Sequence, residues 1–197
     1  MPLLFVFIGA VVLIVVYLFA TYNKFVTTKT RIQASIQEIG NQLKRQADLI
    51  PNLVESVKGY LKHEKEVFKM LTRARNQALK ALKGKKDPQK LVDVSAQLQE
   101  ALQPIRVVLE SNPQLKAAEP TQKLMDELRD TADKVMYARR TLIDLTADYN
   151  VMVVTIPSNL VAKLFGFKKE PGLKTPETGT HLELSEKEMK SPKVKLN

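Results

Sequence analysis

Two charged side chains stand on an otherwise apolar helical stripe, and chemistry is sought there first. Ile50, Val54, Val57, Leu61, Glu64, Phe68, Leu71, Arg75, Ala78 and Leu82 step by four and three throughout, the spacing of one helix face. Glu64 is the right residue type for general acid–base work. Arg75 lies about three turns away on the same helix, too far to pair with it. Each is instead expected to reach a partner on a neighbouring helix and fix the register of packing. His63-Glu64-Lys65-Glu66 lacks the second histidine of a zinc-protease helix. The other histidine, His181, is far along the chain, and there is no cysteine. Thiolate metal sites, disulfides and a cysteine nucleophile are thereby excluded. A carboxylate-bridged metal would need inward glutamates on several helices, and Glu64 is the one seam carboxylate. No phosphate-cradling glycine loop or nucleophile elbow is present. No catalytic residue, cofactor, metal or small-molecule substrate is expected.

The elements that position these residues are helices. Leu3 to Ala20 is 18 apolar or small residues without a charge. A helix of that length spans about 27 Å, close to the ~30 Å hydrocarbon core of a bilayer. No basic region precedes it, and Leu18-Phe19-Ala20 is a poor cleavage site, so residues 1–21 read as an uncleaved signal-anchor. Tyr17 and Tyr22 sit near one end, where interfacial aromatics belong. Phe25, Ile32, Ile36, Ile39 and Leu43 continue as one apolar stripe. Asp48 is expected to cap the next helix, with Pro51 in its first turn. Lys83-Gly84-Lys85-Lys86-Asp87-Pro88 is a stop and restart. The third helix carries Leu91, Val94, Leu98, Ala101, Ile105 and Val108, with an expected kink at Pro104. Leu115 plugs the connector from Gln114 to Glu119. Pro120 opens a fourth helix with a seam from Leu124 through Val135, Leu142 and Tyr149 to Ile156, closed by Pro157. Residues 158–169 form an amphipathic segment, and 170–197 have the composition of a disordered tail.

The net charge of +10 is uneven: between residues 21 and 100, 16 basic residues face 8 acidic ones. Such an excess suits nucleic acid or an anionic bilayer surface. The apolar opening segment favours the bilayer, and no nucleic-acid partner is expected. A membrane-tethered nucleic-acid-binding protein is the alternative reading. Lys24, Lys29 and Arg31 follow the span and only Met1 and Pro2 precede it. The positive-inside rule then places the N-terminus outside and the body in the cytoplasm; an extracytoplasmic body is the alternative.

These residues carry a family resemblance. Tyr22-Asn23, the run from Lys44 to Val54, Lys58-Gly59-Tyr60, His63-Glu64 and Ala74-Arg75 form a first block. Asn112-Pro113-Gln114-Leu115-Lys116-Ala117, Ala138-Arg139, Tyr149-Asn150, Pro157 and Gly166-Phe167 form a second. Over roughly Tyr22 to Phe167 the chain resembles the LemA family. Leu142-Ile143 stands where the family has a further Tyr-Asn pair, Ala132 where it has an acidic residue, and Pro104 is unusual. The resemblance implies an N-terminal transmembrane helix and an up-and-down antiparallel four-helix bundle over residues 22–157, which with the disordered tail read from composition makes an all-α protein. It implies a membrane-associated bacterial protein, here single-pass, and no established enzyme activity.

If the helices alternate direction, two features return to the bilayer. One is the basic turn Lys83, Lys85, Lys86. The other is the segment carrying Leu160, Val161, Leu164, Phe165 and Phe167 beside Lys163, Lys168 and Lys169. The distal tip then holds Asp48, Leu49, Pro51 and Asn52 with Asn112, Pro113, Leu115 and Lys116. These either pack two loops together or dock a partner. Glu64, Arg75, Arg139, Tyr149 and Asn150 are expected to form a polar network along the seam. The function expected is a non-enzymatic scaffold or adaptor, engaging the bilayer and either a protein partner or a second copy of itself.

Overall fold

The computed structural model describes residues 2–59, 65–83 and 87–174, with the side chains of Lys116 and Ala117 set aside. Every element among the described residues is a helix: α1 (Pro2–Val57), α2 (Lys65–Lys83), α3 (Pro88–Ser111), α4 (Pro113–Ala117), α5 (Glu119–Val154) and α6 (Ser158–Phe165).

The long helix α1 has two halves of different chemistry. Its first eighteen or so residues are apolar and exposed, and it is long and apolar enough to cross a membrane. From Thr21 onward one stripe is buried: Phe25, Ile32, Ile39, Leu43, Ala47, Ile50, Leu53 and Val57. This is the stripe legible in the sequence. It does not break at Asp48 or Pro51.

Continuation through Pro51 has an identifiable cause. Proline has no N–H, so within a helix the carbonyl four residues earlier loses its donor. Here that carbonyl belongs to Ala47, whose side chain is fully buried. The Arg75 Nε–H donates to it at 3.0 Å from α2. Arg75 therefore supplies the bond that Pro51 withholds, and the helix persists to Val57. Asp48 is not a cap. Its carboxylate pairs with Lys44, one turn back, at 2.6 Å. The expected turn at residues 48–51 is displaced to the stretch after Val57, since α2 begins only at Lys65.

The packing partners are unequal. Helix α5 runs antiparallel to α1 along its length: Arg45 pairs with Glu127 at one end, and Phe25 meets Tyr149 edge-on at the other, with ring centroids 5.6 Å apart. Helices α2 and α3 pack on each other and against α1, whereas α3 touches α5 only sparsely. Asp87 caps α3 by accepting from the Gln89 N–H at 3.0 Å, with Pro88 in the first turn. Pro104 lies within α3, which continues on to Ser111. Leu115 is buried as the sequence predicts, but from a short helix of its own.

The α2–α3 hairpin is short. Arg75 sets its register at Ala47. Lys83, eight residues on, is level with about Ile39, roughly 27 Å short of Thr21 by helical rise. Lys83, expected beside the bilayer, therefore stands well along the body from the apolar segment. Lys85 and Lys86 lie outside the described residues. The lower part of the α1–α5 pair is covered instead by α6 and the chain that follows it. Val161 and Ala162 of α6 are buried, and Phe167 and Leu173 pack on the core. Residues 170–174, read from composition as tail, are held in place here. Residues 175–197 lie outside the described residues.

Candidate functional site

The foot of the helical body, where α5 and α6 meet the apolar half of α1, gathers a group of exposed apolar side chains. On the last turns of α5 Val151 and Val154 are exposed, and Ile156 beyond them is 83 % exposed. Helix α6 begins immediately. The Ser158 hydroxyl donates to the Met152 carbonyl at 2.7 Å, which holds its start against the end of α5. Helix α6 is only eight residues long, and apolar side chains occupy both its faces. Val161 and Ala162 turn inward. Leu160 and Leu164, four residues apart and therefore on one face, are 62 % and 69 % exposed.

An aromatic cluster fixes α6 to α1. The Tyr22 ring lies 4.8 Å from Phe165 and 5.6 Å from Phe167, and Phe167 stacks on Phe25 at 4.7 Å. Both phenylalanines reach α1 because the chain reverses between them. Gly166 adopts a left-handed conformation (φ 73°) that an L side chain rarely tolerates. The N–H groups of Gly166 and Phe167 both donate to the Ala162 carbonyl, closing the helix. Phe165 stays half exposed. With Val15, Leu18, Phe19 and Tyr22 it lines an apolar cleft of about 290 Å³. The exposed face of α6 is thus continuous with the exposed apolar half of α1. Lys163, Lys168 and Lys169 are exposed around it.

A strap then climbs the body. The Lys29 ammonium pairs with the Glu170 carboxylate at 2.7 Å. Asn150 makes two bonds to the Glu170 backbone: its Nδ2–H donates to the carbonyl, and its Oδ1 accepts from the N–H, each at 2.9 Å. Four residues on, the Lys174 N–H donates to Gln89 Oε1 at the foot of α3, at 2.8 Å. The Glu170 carboxylate, which accepts the Lys29 hydrogen bond, raises the pKa of that ammonium above its ordinary value, with burial opposing. Burial raises the pKa of the neighbouring Tyr149 hydroxyl, and the Lys29 charge opposes the rise.

Not every sequence-predicted residue joins a site. Leu164, Phe165 and Phe167 belong to the apolar collar that α6 and the turn after it form against α1, with Lys168 beside them. Tyr149 and Asn150 belong to the strap. Arg75 completes the proline break, and Arg139 lines a groove between α3 and α5. The expected single seam network is therefore split among three places, and Glu64 lies outside the described residues. The distal residues are divided too. Asp48, Leu49, Pro51 and Asn52 sit within α1, whereas α4, with Pro113 and Leu115, packs on α3 and α5. Asn112 donates from its side chain to the Val108 carbonyl at 2.8 Å, ending α3.

Sequence reasoning missed the α3–α5 groove. Its signal is a second stripe on α5, Met125, Arg129, Ala132, Met136 and Arg139, stepping by four and three beside the core seam. It missed the strap because Glu170 to Lys174 carries only one apolar residue.

Among the described residues no cluster of histidines, aspartates or glutamates is placed to hold a metal. A comparison with curated proteins returns no match. The sequence pattern of the LemA family matches residues 35–195, taking in most of the packed half of α1 and everything after it through the strap. On that match the chain belongs to the LemA family.

Proposed function

We propose that this is a single-pass membrane protein whose four-helix bundle is seated on the bilayer by α6 and the end of α5, and that it acts as a non-enzymatic scaffold or adaptor. The observation that carries the reading is the collar. Ile156, Leu160, Leu164 and Phe165 are exposed in one region, continuous with the apolar helix and rimmed by lysines. In water this surface is costly. Sunk to the headgroup boundary, the exposed parts of these four side chains are worth about 5 kcal/mol at the usual apolar burial coefficient. Each lysine near an anionic leaflet adds about 1 kcal/mol. The excess of lysine and arginine after the span supports a cytoplasmic body in a bacterial membrane. A scaffold role is supported by what the body offers among the described residues: broad helical faces and a groove between α3 and α5.

The test separates the seat from the anchor. Residues 22–197, made without the apolar segment, are mixed with vesicles containing phosphatidylglycerol and floated. Flotation is expected. It should fall at least tenfold in a Leu160→Glu/Leu164→Glu variant whose thermal unfolding is unchanged, because both positions point away from the body. Equal flotation of the two proteins would overturn the membrane seat. Orientation is read separately: a single cysteine at exposed Tyr137 should resist an impermeant maleimide in intact cells and react after lysis.

A further inference from the structure

The groove between α3 and α5 is a vacancy in the packing of the body, and the chain itself is aimed at it. The two helices touch sparsely. Between them lies a cavity of about 570 Å³ whose walls include Val92, Ala96, Gln99, Met125, Ala132 and Met136. Methionine and alanine walls adapt to an apolar occupant without strain. Gln99 is tied from one side only. Its Oε1 accepts from Arg106 at 2.9 Å, while its buried Nε2 has no partner among the described residues.

We propose that this groove is the docking site for the chain's own C-terminal segment, residues 175–197. Four observations converge on that occupant. The strap delivers it: the Lys174 N–H is bonded to Gln89, one turn below Val92 on the same face of α3. Chain leaving Lys174 therefore stands at the mouth of the groove. The length fits. From Gln89 to Arg106 the groove wall rises about 26 Å, a distance that eight extended residues, 175 to 182, also cover at about 3.3 Å each. The chemistry fits. Over that stretch Glu177 comes toward Arg139, Leu182 meets the apolar walls and Glu183 comes toward Arg129 and Arg106, while the lysines of the segment begin only at Lys187, beyond it. Asp126 and Asp133 also line the groove, so the arginines set where the glutamates sit. Finally, the LemA family pattern runs on to residue 195, so the segment belongs to the matched unit.

A tethered segment needs little intrinsic affinity. A short flexible linker gives an effective concentration in the millimolar range, so a millimolar intrinsic Kd already fills about half of the grooves. This inference does not depend on the membrane seat.

The test uses the full chain in lipid nanodiscs. The sequence has no cysteine, so Ala96→Cys on the groove wall carries a benzophenone maleimide cleanly. Tyr137→Cys, exposed and outside the groove, is the control. Protein with natural isotopes is mixed with uniformly ¹⁵N-labelled protein, irradiated and digested, and adducts are mapped by mass spectrometry. Adducts within 175–197 of the same chain are expected from position 96, at least tenfold above position 137. An Arg106→Glu/Arg129→Glu variant that keeps its helical circular dichroism should reduce them severalfold. Adducts only between light and heavy chains would mean that a second copy occupies the groove, and would overturn the proposal. Equal yields from both positions, or no adduct in 175–197, would overturn it as well.

Discussion

Replacing Arg75 with methionine should destabilise the body more than a half-buried arginine on a helix normally does, and the excess should vanish when Pro51 is also replaced. The Arg75 guanidinium donates to the Ala47 carbonyl at 3.0 Å. Pro51 has no N–H to give that carbonyl, and the site is buried. Arg75→Met keeps the aliphatic packing but leaves the carbonyl without a donor. A hydrogen bond from a charged group, or a buried carbonyl left unpaired, is worth about 1.5–3 kcal/mol. With Arg75 partly solvent-exposed, about 2 kcal/mol is expected, which lowers the melting temperature by roughly 4–8 °C for a body of this size. Pro51→Ala restores the N–H and lets α1 close its own ladder. In that background Arg75→Met should cost about 1 kcal/mol or less. The assay is thermal unfolding of the four proteins in one detergent, followed by circular dichroism at 222 nm. Additivity within about 0.5 kcal/mol would refute the claim that Arg75 answers the proline.

Gln46 is fully buried, and neither atom of its amide has a partner among the described residues; Gln46→Met should raise stability by about 1 kcal/mol, and a fall in melting temperature would contradict this. Gly166→Ala places a side chain at φ 73° and should cost about 1 kcal/mol, seen as faster amide exchange at Phe167 and Glu170; unchanged exchange would dissociate that turn from the strap. The pH dependence follows from Lys29 and Tyr149, whose folded pKa values are both raised. A raised folded pKa stabilises below the unfolded value and loses that stability as pH rises through the folded one. The strap should therefore hold at neutral pH and weaken above pH 10, and a Lys29→Met/Tyr149→Phe protein should lack that alkaline loss in a melting-temperature profile.

Much of the fold is legible in the sequence because it rests on periodicity. The stripe from Phe25 to Leu43 is buried as its spacing predicts, with Ile36 at the margin, and Leu115 fills the distal connector. The break at Pro51 was misplaced for a physical reason. Local rules register the missing N–H of proline, but the donor that replaces it sits 28 residues away, on a helix whose packing no window contains. The strap is hidden likewise. Its composition is polar, and what holds it is one side chain from each of three helices: Lys29 of α1, Asn150 of α5 and Gln89 of α3. The collar was visible as Leu160 to Lys169, although its division into a buried and an exposed face was not, since apolar residues occupy both sides of so short a helix.

The shortness of the α2–α3 hairpin connects these features mechanically. Because it ends near the level of Ile39, the lower faces of α1 and α5 lack helical neighbours and must be covered by something else. Helix α6 and the strap are that cover, and they are joined through Gly166. Phe165 looks toward the apolar half of α1, and Phe167, two residues later, stacks on Phe25 in the core. A displacement of α6 cannot leave Phe167 in place unless the Gly166 turn unwinds. Phe167 leads through Glu170 and Lys174 to the foot of α3. Under the proposed membrane seat, a change in how α6 meets the bilayer is therefore passed along a continuous, hydrogen-bonded path to the mouth of the α3–α5 groove. Leu160→Glu/Leu164→Glu then offers a second readout beyond flotation. In nanodiscs, expelling α6 from the interface should reduce tail adducts at position 96, whereas a collar independent of the groove leaves the adduct yield unchanged.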